Sequence, residues 1–215
     1  MLSPAGAGGT IAGDSAQYET TPNSLLATVP AFPTAPPGGY VASIMQESFS
    51  SFEGMPISVH VAFDMFVEQV DNHAGARIMA FQFLFGLGDA TFNQLVINVT
   101  STGPNVTTVF SENLGGKGMG SMGGDAQHVP DVGHWGHVVF DLQAYNPSGM
   151  SDSAGRGNTV KVTIDNTVLF NGALKYPLYK DKPRIELGIP YVDTSIATQP
   201  WRMRYDNFQA TLTPL

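Results

Sequence analysis

His134-Trp135-Gly136-His137-Val138-Val139-Phe140-Asp141-Leu142 alternates apolar with polar residues, the period of a strand with one wet face. The same period returns in Val160-Lys161-Val162-Thr163-Ile164, breaks at Asp165-Asn166, and resumes through Thr167-Val168-Leu169-Phe170. Arg184-Ile185-Glu186-Leu187-Gly188-Ile189 and Trp201-Arg202-Met203-Arg204-Tyr205-Asp206-Asn207-Phe208 complete the series. Gly, Pro, Asn and Asp fill the intervals, where chain reversals need them. This spacing predicts an all-β chain, folded as a two-sheet antiparallel sandwich with little or no helix.

Upstream segments extend the pattern. Between Pro56 and Asp71, Val59, Val61, Phe63, Met65 and Val67 share one face, and His60, Ala62, Asp64, Phe66 and Glu68 share the other. Arg77 to Phe85 is apolar on both faces, with Gln82 its one interior polar residue, which marks a central strand covered on both sides. Gln94–Ser101 and Val106–Phe110 read as a hairpin through Thr102-Gly103-Pro104-Asn105. Ser24–Val29 and Tyr40–Phe49 read as earlier strands. The glycine-rich stretches 114–125 and 146–158 read as surface loops. In the closing strand the apolar phase shifts by one residue after Tyr205, which predicts a β-bulge at Asp206-Asn207. Residues 1–20, rich in Gly, Ala and Ser, read as a flexible leading segment, and 21–215 as one domain.

Composition narrows the class. Of 215 residues, 42% are hydrophobic, enough for a large core, and only 13% are charged, so Ser, Thr, Asn, Gln and Gly must build much of the surface. A net charge of −8 opposes a nucleic-acid partner, which needs concentrated positive charge. Without cysteine there are no disulfides, thiolate metal sites or thiol nucleophiles. No apolar run reaches the roughly 18 residues of a transmembrane span.

Four patterns carry a resemblance. They are Thr21-Pro22-Asn23-Ser24-Leu25-Leu26, Trp135-Gly136-His137-Val138-Val139-Phe140, the ribbon Val160–Phe170, and Ile185-Glu186-Leu187-Gly188 followed by Trp201–Phe208. In this order the chain resembles the concanavalin A-like, laminin G-like jelly rolls, above all those of secreted or surface-anchored bacterial proteins. The resemblance implies two stacked antiparallel sheets, an extracellular or cell-surface location, and calcium as the metal such modules carry. Members bind glycans, cleave glycans or serve as spacers, so the fold alone does not select the function.

Candidate residues follow from chemistry. The glycanase pattern Glu-x-Asp-x-x-Glu is absent, and its nearest approximation is Asp64 with Glu68. Four strand residues separate their Cα atoms by about 13 Å, beyond the roughly 5–9.5 Å that glycosidase carboxyl pairs span. Asp64, Phe66, Glu68, Gln82, Glu186, Trp201, Arg202 and Arg204 could together form an aromatic and polar glycan-binding face. Asp125, Asp131 and His134 are the candidate metal ligands, as hard oxygen donors and one imidazole near a loop-to-strand junction. The resulting expectation is a non-catalytic recognition module binding a glycan or a surface protein. A structural or adhesive spacer is the alternative, and a glycoside hydrolase or lyase ranks last because no catalytic carboxylate pair is evident.

Overall fold

The alternation in Ile57–Gln69 decides where the core lies: Val59, Val61, Phe63, Met65 and Val67 are wholly buried, and the intervening residues face away. The computed structural model describes residues 2–5, 10–16, 18–19, 24–31, 42–86, 92–115, 121–178, 182–192 and 199–215. Their strands form two seven-stranded antiparallel sheets. The first sheet contains β1 (Leu2–Ala5), β4 (Ala42–Ser48), β6 (Arg77–Phe85), β7 (Phe92–Ser101), β8 (Val106–Gly115), β9 (Ser121–Gly123) and β13 (Arg184–Val192). The second contains β2 (Thr10–Asp14), β3 (Ser24–Val29), β5 (Ile57–Gln69), β10 (Trp135–Ala144), β11 (Thr159–Ile164), β12 (Thr167–Ala173) and β14 (Trp201–Pro214). Spatial order is β1-β4-β13-β6-β7-β8-β9 in one sheet and β12-β11-β10-β5-β14-β3-β2 in the other. The all-β jelly-roll sandwich anticipated from the sequence is the fold. One 3₁₀ turn, Ser50–Phe52, is the helical element among the described residues.

Aromatic rings from both sheets meet in the middle. Phe63 of β5 stacks on Phe81 of β6 at 5.3 Å, and Phe140 of β10 lies 5.8 Å from Phe83. Each such side chain removed from water contributes about 1.5–3 kcal/mol, so this seam supplies much of what holds the layers face to face. Trp201 and Tyr205 of β14 are buried in the same core.

Local expectations are met at the turns. Asp165 and Asn166 both take positive φ, 48° and 68°, the conformation that lets a two-residue turn follow the sheet twist. The β14 register on β5 slips between Asp206 and Gln209, with Asn207 at φ 51°, which is the bulge read from the phase shift. As predicted, β6 is central, between β13 and β7.

Other segments differ from the reading. Within 114–125, β8 runs on to Gly115 and Ser121–Gly123 pairs back on Ser111–Asn113, so part of the loop is ladder; residues 116–120 lie outside the described residues. The 146–158 loop is closed by Asn158, whose amide donates to the carbonyls of Asn146 and Gly149. Within the first twenty residues, β1 pairs with β4 and β2 with β3, strands that the Gly/Ala/Ser composition did not signal.

Candidate functional site

The candidate site follows from which residues the core does not claim. Ile185, Leu187 and Ile189 of β13 enter the core, so Arg184 and Glu186 stand on the opposite face. By the same alternation, Phe81, Phe83 and Phe85 leave Gln82 and Leu84 outward on β6, and Leu95, Ile97 and Val99 leave Gln94, Val96 and Asn98 outward on β7. Register aligns them: Gln46, Glu186, Gln82, Val96 and Ser111 form one row across five strands. Ser48, Arg184, Leu84, Gln94 and Asn113 form the next.

These polar side chains are bonded to one another. Arg184 reaches Glu186 Oε1 at 2.6 Å and donates to Gln46 Oε1 at 3.4 Å. The Gln82 amide donates to Glu186 Oε2, and the Gln94 amide donates to Gln82 Oε1 at 3.3 Å. Asn98 donates to Ser111 Oγ at 3.0 Å. Although this face points away from the core, Glu186 is only 4% exposed, Gln82 5% and Asn98 3%. Polar groups withdrawn from water must be bonded, and these are, apart from the Arg184 Nε, a buried donor without a partner. This outward face, hereafter the groove, thus carries guanidinium and carboxamide groups, which match carboxylate and hydroxyl groups in planar geometry. Tyr191 of β13 pairs with Met79 of β6, itself across from Asn98 of β7, so by register its position belongs to this face.

The outer face of the second sheet is built differently. His137 Nδ1 lies 2.7 Å from Asp64, which also accepts from Asn207 Nδ2 at 2.5 Å. His60 and Asp141 make a second cross-strand pair at 2.7 Å. Both imidazoles are about half exposed, at 56% and 53%. Glu68 lies between Arg202 at 2.9 Å and Arg204 at 2.5 Å, and Arg204 extends to Asp14 at 3.4 Å. The Ala16 N–H, helped by the Arg204 guanidinium, holds the Asp14 carboxyl below its ordinary range. These charges are mutually engaged and tie β2, β5 and β14 together.

The sequence-predicted residues therefore divide. Gln82 and Glu186 are brought together in the groove. Asp64, Phe66, Glu68, Arg202 and Arg204 lie on the opposite face of the sandwich, so the eight do not form one site. Trp201 is wholly buried in the core, and Phe66 is 4% exposed with its ring 5.2 Å from Trp135, so neither offers a stacking surface. Asp64 and Glu68 hold different partners and make no carboxylate pair. Asp125, Asp131 and His134 are all exposed, and the contact joining two of them is the His134 N–H donating to the Asp131 carbonyl at 3.1 Å. Among the described residues no three His, Cys, Asp or Glu side chains gather to hold a metal. Nor, among them, is any helix long and apolar enough to cross a membrane. Arg184, Gln94, Asn98 and Gln46 were missed. Their signal was the alternation phase, which places Gln94 and Asn98 outward on an otherwise apolar strand. A pocket of about 280 Å³ also opens at the seam between the sheets, lined mostly by apolar groups including Leu25, Met45, Leu187 and Phe208.

No protein-family model matches the sequence, and no curated protein matches it. Solved structures do. An endo-β-1,4-glucuronan lyase from the fungus Trichoderma reesei is 12% identical with a TM-score of 0.61, the match covering 98% of this chain and 89% of that one. Alginate lyase Aly36B is 14% identical at 0.61, covering 91% and 83%. Alginate lyase vAL-1 from Chlorella virus is 10% identical at 0.60, covering 93% and 88%. The ranking that put a non-catalytic recognition module first is corrected by these likenesses, since these three structural neighbours are polysaccharide lyases. The sequence reading sought a glycosidase carboxylate pair. Elimination beside a uronate carboxylate requires no such pair, so its absence carried no weight against a lyase. The chain has the jelly-roll sandwich fold of these lyases, within the concanavalin A-like class.

Proposed function

We propose that the chain is a polysaccharide lyase that cleaves a uronate-containing polymer by β-elimination in the groove of the first sheet. One observation carries the reading: carboxylate-matching donors, the buried Gln82 and Asn98 with the partly exposed Arg184 and Gln94, lie together on the outer face of a sheet in a lyase-type sandwich. In β-elimination a base takes the proton from the ring carbon bearing the carboxylate. The electron pair becomes a ring double bond, the bond to the glycosidic oxygen breaks, and that oxygen leaves with a proton. Negative charge grows on the carboxylate in the transition state, and preorganised N–H donors stabilise it. Arg184 and the amides supply that part.

The proton steps need a further group beyond these donors. A polymeric substrate also favours an extracellular or cell-surface location.

The test is incubation with polyglucuronate, alginate and a neutral glucan while following the ultraviolet absorbance of the new conjugated double bond. Absorbance should rise with a uronate polymer and stay flat with the glucan. Arg184→Ala should reduce kcat/KM by about a hundredfold or more. Absence of unsaturated product from a panel of uronate polymers would reject the proposal.

A further inference from the structure

We infer that Glu186 is an internal stand-in for the carboxylate of an acidic sugar and thereby sets the affinity of the groove for uronates. The inference rests on the reading of the groove as a uronate site. Its basis is how the two carboxylate oxygens are held. Oε1 takes the Arg184 guanidinium at 2.6 Å, and Oε2 takes the Gln82 amide. One oxygen thus faces a cation and the other a planar amide, the contacts that a uronate carboxylate needs for itself.

The cradle is aligned by its surroundings. Glu186 is directly across from Gln82 in the β13–β6 ladder, and Arg184 is two residues away on the same face. Gln94 bonds the Gln82 oxygen at 3.3 Å, which turns the Gln82 amide nitrogen toward Glu186. Gln46 takes a second guanidinium hydrogen at 3.4 Å. Among the described residues, this face holds no other acid.

Stability alone is a poor reason for such a pair. A buried ion pair holds a fold no better than apolar side chains of similar volume. Leu84 and Val96, beside Gln82 on the same face, show that apolar residues fit there. An arriving uronate carboxylate meets donors already engaged and a negative charge beside them. Two charged carboxylates repel at one guanidinium, so acidic ligands bind only as Glu186 yields its donors. Neutral sugars do not compete for those contacts.

Titration calorimetry of wild type, Glu186→Gln and Glu186→Asp with an oligoglucuronate and a neutral cello-oligosaccharide of equal length tests this. Glu186→Gln should bind the oligoglucuronate about tenfold more tightly, with neutral binding unchanged. Glu186→Asp withdraws from one donor and should shift affinity in the same direction by less; it carries the test if Glu186→Gln does not melt cooperatively. Acidic ligand bound by wild type but no more tightly by either variant overturns the inference and leaves the groove reading intact. Equal tightening for acidic and neutral ligands also overturns it. Failure of all three proteins to bind the acidic ligand overturns both.

Discussion

Replacing Tyr205 by Phe removes one oxygen atom from the place where the two sheets are tied together. The Tyr205 hydroxyl, on β14, lies 2.6 Å from the Gly188 carbonyl of β13 and 2.9 Å from the Ala80 carbonyl of β6. Both carbonyls sit where their ladders are interrupted: the β13–β6 register shifts between Leu187 and Tyr191, and the β6–β7 register between Met79 and Phe81. The phenol therefore supplies a hydrogen where the sheet does not. Phe keeps the ring beside Phe63, 6.0 Å away, so no cavity term enters. The loss is one hydrogen bond plus buried carbonyls left unbonded, about 2 kcal/mol. For a chain of this size that lowers Tm by roughly 4–8 °C. Guanidinium unfolding should show a lower midpoint at unchanged slope.

Alkaline pH gives an independent readout of the same group. Burial pushes the Tyr205 phenol well above its ordinary value of 10.0. Above that pH the unfolded chain releases this proton while the native chain keeps it. The phenol's contribution is therefore complete below about pH 10 and is lost as pH rises, at about 1.4 kcal/mol per unit, until the native phenol ionises. Tyr205→Phe lacks this loss, so the two stability curves should converge above pH 10. A neutral-pH difference below about 0.5 kcal/mol, or a gap that stays constant with pH, would refute the tie.

Two further stability predictions are simpler. Glu112 is wholly buried and accepts from Asn93 Nδ2 at 3.0 Å, Lys175 N at 2.7 Å and Tyr176 N at 2.9 Å. Glu112→Gln sets an amide N–H against a donor and should cost about 2 kcal/mol in urea unfolding, whereas no change would show that the 175–176 segment is held by other means. At Asn166, with φ 68°, Val should cost about 1–2 kcal/mol while Gly costs nothing or stabilises; equal melting of the two variants would contradict the positive-φ turn.

How much was legible depended on the range of the interaction. The buried half of β5, the Asp165-Asn166 turn and the Asp206-Asn207 bulge all follow from periods and phases within a few residues. Those are local consequences of side chains alternating across a strand. The groove is not local. Gln82 and Glu186 are 104 residues apart, and Arg204 and Glu68 are 136 apart. Asp64 and Gln82 look alike as polar residues on apolar strands, yet one strand belongs to each sheet. Trp201 reads as a glycan platform by residue type, but its phase on β14 sends it into the core.

By itself, then, the sequence determined an all-β sandwich, the inward residue set of its long strands, and the sites of turn and bulge. Strand period and turn chemistry are set by each residue's near neighbours. The tertiary structure alone decided that β13, β6 and β7 lie side by side and that Glu186, Gln82 and Asn98 on their outward face are withdrawn from water. It also decided that Arg184, Glu186, Gln82 and Gln94, from two adjacent rows, share one hydrogen-bonded network there. Sheet order and register are settled by packing across the whole core, and so is the chemistry that depends on them.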